Sequence, residues 1–136
     1  MLANGITLGF ATSKSATTYT DLAGLKEVPE MGNELEKVEN TCLTDKTKQY
    51  EFGIGDYGDL EFTFKYSNSA TSPYRIMKGY EDSMETVYFR MTYPDSTTFD
   101  WAAQVSTKLS GGGVNDVMDF TLKMALQSDI VPTNPA

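Results

Sequence analysis

Apolar and polar residues alternate with period two through most of the chain. In YEFGIGDYGDLEFTFKY, residues 50–66, a glycine-punctuated acidic lead-in passes into a clean strand. There Leu60, Phe62, Phe64 and Tyr66 point one way and Asp59, Glu61, Thr63 and Lys65 the other. Ile6, Leu8 and Phe10 alternate with Thr7, Gly9 and Ala11. Val87, Phe89, Met91 and Tyr93 alternate with Thr86, Tyr88, Arg90 and Thr92. Phe99, Trp101, Ala103 and Val105 do so with Asp100, Ala102, Gln104 and Ser106, and the same beat runs from Met118 to Leu126. These segments predict five strands with one apolar face each, the pattern of an antiparallel sheet packed on a core.

Turn chemistry connects them. PDSTT, between Tyr93 and Phe99, suits a short turn and predicts a hairpin of 86–93 with 97–108. SGGGVND at 110–116 predicts a loose, mobile tip leading into 117–127, because three consecutive glycines leave the backbone many conformations. One segment breaks the period: in SPYRIMKGYEDSM, Ser72 can cap, Pro73 suits the first helical position, and Ile76, Met77, Tyr80 and Met84 share a face. A single helix at about 73–84 follows, packed on the sheet. Residues 33–43, NELEKVENTCL, fit a helix through Leu35, Val38 and Cys42, and fit a strand end equally well through Thr41–Leu43. With no repeat, low-complexity tract or internal boundary, 1–136 reads as one domain, with a long loop at about 44–58 and a flexible tail from about 129.

Charge and composition narrow the chemistry. A net charge of −8, from 11 basic and 19 acidic residues, repels nucleic acid and anionic lipid, so neither is bound by charge attraction. With no histidine, the Ser-His and Cys-His pairs and most catalytic zinc sites are excluded. Cys42 stands alone, so no intramolecular disulfide is expected, and the thiol reads as a core or strand-end residue. The opening MLANGITLGFATSKSA lacks the charged start and apolar length of a secretory signal, nothing approaches a membrane span, and use in the cytoplasm is expected.

Candidate sites mostly dissolve. GIGDYG at 53–58 and GGG at 111–113 lack the GK[ST] ending of a phosphate loop. Asp56, Asp59 and Glu61 could pair as carboxylates for glycoside hydrolysis, but acidic residues on a strand's polar face are ordinarily solvated. Asp116, Asp119 and Asp129 do not follow a calcium-loop spacing. No enzyme, cofactor or metal is expected.

The order of the pieces resembles the major tail protein, the tail tube protein of long-tailed bacteriophages, over roughly residues 3–130. ANGITLGFAT followed by YTDLAGLKEVPEMG is similar to that family's opening strand and its "L…ipelg" segment. NELEKVENTCLTDKTKQYEFGIGDYGDLEFTFKY resembles its strand ending in threonine, "T…D" link, "y…G" turn and next strand. YPDSTTFDWAAQVSTKLSGGGVNDVMDFTLKMALQSDIV resembles its closing P-D turn, aromatic strand, glycine loop and last strand.

The resemblance implies a mainly β, sandwich- or barrel-like tail tube fold with one flanking helix. It also implies hexameric rings stacked into a tube through which DNA is ejected, in a virion tail assembled in the host cytoplasm. Implied partners are further copies of the chain and the tail-tip initiator, tape measure and tail terminator proteins, with DNA passing unbound and no membrane contact. Six copies at −8 carry −48 per ring, so a conduit would repel its cargo rather than hold it. On this view the 44–58 loop packs on a neighbouring subunit or ring through Lys46, Lys48, Asp56 and Tyr57, and Asp59, Glu61, Asp100 and Asp119 face the lumen. The GGGVND tip and the chain ends are further stacking candidates. The competing reading is a β-sandwich binding module, a phage decoration, adhesin or carbohydrate-binding domain. It would need exposed clustered aromatics, whereas Phe62, Phe64, Phe89, Trp101 and Phe120 fall on faces that look buried.

Overall fold

The alternating segments form the middle of one antiparallel sheet. A computed structural model describes residues 1–32, 34–56 and 60–135. In chain order the elements are β1 (Thr7–Ala11), β2 (Thr20–Asp21), β3 (Leu25–Glu27), β4 (Glu34–Glu39), β5 (Tyr50–Asp56), β6 (Leu60–Lys65), α1 (Pro73–Ser83), β7 (Val87–Thr92), β8 (Thr98–Leu109), β9 (Asp119–Leu126) and β10 (Val131–Thr133). The main sheet runs β2-β1-β7-β8-β9-β6-β3, with β10 beside β8, while β4 and β5 pair only with each other. The fold is therefore mainly β with one helix.

The sheet curls over its own apolar face. Phe62 lies opposite Leu122, and Leu122 opposite Thr107, six residues along β8 from Trp101. On a flat strand that offset is about 20 Å. Instead the Phe62 and Trp101 rings stack at 6.0 Å, Phe89 also stacks with Trp101 at 6.0 Å, and the indole N–H donates to Met124 Sδ. Curling gathers Leu8, Leu60, Phe62, Phe64, Val87, Phe89, Met91, Phe120 and Leu122 into one core with essentially no exposure. The curl stops short of closure: residues 3–6 and 25–28 line an open groove.

Helix α1 covers the core from the same side. Ser72 Oγ accepts the Arg75 N–H, Pro73 occupies the first turn, and Met84, with φ 57°, ends the helix in the left-handed conformation. Met77 is fully buried, Tyr74 meets Phe120 edge-on, and Tyr80 does the same with Phe10. Past Ala103, strand β8 has outrun β7, and the Glu81 carboxylate takes over there, accepting from Thr107 N at 3.0 Å and Ser106 Oγ at 3.1 Å. The helix thus blocks part of an otherwise open strand edge.

Three expectations change. Of the stretch 33–43, which fitted helix and strand end alike, Glu34–Glu39 is strand, where β4 pairs with β5, so the loop expected at 44–58 is half ribbon; Tyr57 and Asp59 lie outside the described residues. The segment expected as a free tail from 129 is tied down. Gln127 N donates to the Ala102 carbonyl, Ala102 N to Ser128 Oγ, Ile130 is buried, and β10 pairs with β8. Pro132 fits there because β10 is an outer strand. Cys42 is neither core nor strand but exposed in the ribbon's turn, its N–H donating to Asp45 Oδ2.

Candidate assembly surfaces

The β4–β5 ribbon has no core beneath it. Every residue from Leu35 to Ile54 is exposed, although the strands pair, with Lys37 opposite Phe52, Glu39 opposite Tyr50 and a register shift between Leu35 and Lys37. Period two places Leu35, Tyr50 and Phe52 on one face. Phe52 is 68% exposed, Ile54 87%, and Leu43, at the free end, wholly so. Gly53 brings the two strands close: a Cβ there would sit 3.1 Å from Val38 Cγ2, a tight contact. Such a cluster of apolar side chains without cover makes the ribbon a candidate interaction surface.

A second apolar projection lies at the β8–β9 tip. Val114 and Val117 stand out into solvent, with Leu109 and Met118 partly exposed beside them. The tip is a hydrogen-bonded turn: Asp116 Oδ2 accepts from Gly113 N at 2.8 Å, and Asn115 takes a left-handed φ of 70°. Glycine at 112 leaves room for Met118, whose Sδ would lie 3.4 Å from an added Cβ.

The sheet's outward face is polar and charge-balanced. Asp100 accepts from the Arg90 guanidinium at 2.7 and 3.3 Å, and that guanidinium lies 4.5 Å above the Tyr19 ring. The Asp100 hydrogen bonds raise the Arg90 pKa further. Glu61 pairs with Lys123, and Asp119 with Lys26. The three described acids expected to make an acidic lining therefore each meet a cation. Much of the negative charge sits on the ribbon instead: Glu34, Glu36, Glu39, Asp45, Glu51 and Asp56 against Lys37, Lys46 and Lys48 leave −3.

Of the expected arm residues, Lys46 and Lys48 are exposed in the ribbon turn and Asp56 closes β5 opposite Glu34. The prominent side chains on the ribbon are apolar ones that the polar reading passed over: Leu35, Leu43, Tyr50, Phe52 and Ile54. The Tyr50–Phe52–Ile54 alternation was their signal.

A curled antiparallel sheet with one helix and an uncovered ribbon defines a mainly β protein whose candidate site is a surface. The chain belongs to the phage tail tube protein (TTP) family, whose profile matches residues 4–134. A search of curated protein sequences gives no significant match. Among solved structures, a chain in the virion of a native gene transfer agent particle aligns at TM-score 0.72 and 15% identity, covering 98% of each chain. A chain in the sheath/tube terminator of an extracellular contractile injection system, in its extended state, aligns at TM-score 0.70 and 8% identity, over 98% of this chain and 96% of that one. A chain in the tail of an empty gene transfer agent particle with C6 symmetry aligns at 0.68 and 17%, over 93% and 95%. At these identities the likeness is one of fold.

Proposed function

We propose that this chain is the repeating subunit of a tail tube, assembling as six-membered rings that stack into a conduit for DNA. The observation that carries this reading is the ribbon: a family of tube proteins, and in this chain a paired, apolar, wholly uncovered arm from Leu35 to Ile54. An exposed two-stranded ribbon gains little stability alone, and packing against another copy supplies the missing burial. Six-fold symmetry is supported by the C6 tail among the structural neighbours. The subunit's role is structural, its place is the tail of the virion after assembly in the host cytoplasm, and the tip initiator, tape measure and terminator proteins are its other partners.

The polar sheet face lines the lumen in this reading, with Glu61, Asp100 and Asp119 held by Lys123, Arg90 and Lys26. Such a lining offers DNA few unpaired cations, so the phosphate backbone passes without being gripped. Negative-stain electron microscopy of the concentrated protein tests the proposal. Hollow tubes of uniform width with six-fold end views are expected; solid fibres or rings of another symmetry would overturn it.

A further inference from the structure

Strand β8 runs on past one of its partners. Its 12 residues pair with β7 only as far as Ala103, opposite Val87, while β9 accompanies it to Leu109. The Ala102 N–H and carbonyl and the Ser110 N–H point to the β9 side, where they meet Ser128 Oγ, Gln127 N and the Asp119 carbonyl. Backbone groups alternate in direction along a strand, so Val105, Thr107 and Leu109 turn theirs the other way, onto the edge that β7 leaves open. An open edge in the middle of a sheet is a template for pairing with another chain.

Glu81 of α1 reaches this edge and straddles it. Its carboxylate accepts from Thr107 N at 3.0 Å, from Ser106 Oγ at 3.1 Å and from Thr107 Oγ1 at 3.3 Å. Successive side chains of a strand lie on opposite faces, so one carboxylate holds the edge amide and a hydroxyl from each face. Lys78 Nζ, 2.6 Å from Glu81 Oε2, fixes that carboxylate from the helix side. Glu81 thus stands where the carbonyl of an adjoining strand would stand. The covered segment is also complementary to itself. Turned antiparallel about Thr107, it sets Thr107 opposite Thr107, Val105 opposite Leu109 and Lys108 opposite Ser106, with no like charges opposed.

We infer that Glu81 is an edge guard, an autoinhibitory contact that keeps β8 of one copy from pairing with β8 of a second. The pairing it prevents is two-fold and closed, and would withdraw both copies from any head-to-tail polymer. No residue of this contact belongs to the ribbon, so the guard stands or falls apart from the tube reading.

Glu81→Ala removes the guard. Below the concentration at which the unsubstituted chain leaves the monomer, sedimentation should show at least tenfold more dimer for the variant. At greater dilution, where the variant too is monomeric, its Thr107 amide should exchange hydrogen at least tenfold faster than in the unsubstituted chain. Adding Thr107→Pro removes the N–H that faces the edge and should return the variant to monomer. A Glu81→Ala chain that stays monomeric, an unchanged exchange rate at Thr107, or a folded Glu81→Ala/Thr107→Pro chain that still dimerises would overturn the guard. If Glu81→Ala fails to fold, Glu81→Asp decides, because its carboxylate falls one methylene short of Thr107. More dimer from that variant would support the guard, and a monomer would overturn it.

Discussion

Phe52 and Phe62 stand ten residues apart on consecutive strands, each in a period-2 alternation, yet one is 68% exposed and the other fully buried. Phe62 belongs to a strand whose partners extend into a sheet large enough to curl, so its ring finds Trp101. Phe52 belongs to a ribbon of two strands, with nothing to curl onto. Alternation therefore reports that one face of a strand wants cover; it does not say whether the cover comes from the same chain. In the sheet the apolar face is buried within the chain, and in the ribbon the same pattern stands uncovered.

The sharpest break between the two regions is a matched pair of truncations. Phe89→Ala in the sheet core should cost the monomer about 4 kcal/mol, seen as a large fall in Tm. Phe52→Ala should change monomer stability by less than about 0.5 kcal/mol. A similar fall for both would mean that the ribbon packs on its own fold.

Glu81→Gln comes next, at about 1.5 kcal/mol, because the carboxylate holds the helix to Thr107 and Ser106 by charge-assisted bonds. The Lys78 hydrogen bond, aided by those to Thr107 and Ser106, keeps the Glu81 pKa below its ordinary 4.5. Its contribution is complete above that value and is lost as pH falls through the lowered pKa. Thermal unfolding scanned from pH 6 to pH 3 should therefore show a flatter acid limb in the variant.

Asp100→Asn should cost about 1 kcal/mol in chemical denaturation, more than an isolated surface pair, since Tyr19 stacks on the same guanidinium. Smallest is Ser96→Gly in the β7–β8 turn, where a φ of 74° strains any side chain. A gain of about 0.5 kcal/mol is expected after the added chain entropy, read as a slight rise in Tm.

The long strands and the helix were readable because each carries enough period or capping chemistry to stand alone. Ser72-Pro73 set the helix start, and Pro94-Asp95 the hairpin. The elements that escaped depend on partners distant in sequence. β2 and β3, of two and three residues, are too short to show a period. β10 forms because the chain past Leu126 stays beside β8, with Ile130 as an anchor that two nearby prolines disguised. In and just beyond β4, Leu35, Val38 and Cys42 mimic helical spacing, and only pairing with β5 decides for strand over Glu34–Glu39. The polar sheet face, with Arg90 and Lys123 among its acids, was foreseen as a face; the Lys26–Asp119 pair was not, because it joins residues 93 positions apart.

The central claim is that the ribbon is an assembly arm and not part of the fold. Electron microscopy of Phe52→Asp/Ile54→Asp beside the unsubstituted chain, with circular dichroism of both monomers, tests it most directly. The expected result is an unchanged spectrum and Tm with tubes from the unsubstituted chain alone. Tubes from the doubly substituted chain, or loss of its folded spectrum, would contradict the claim.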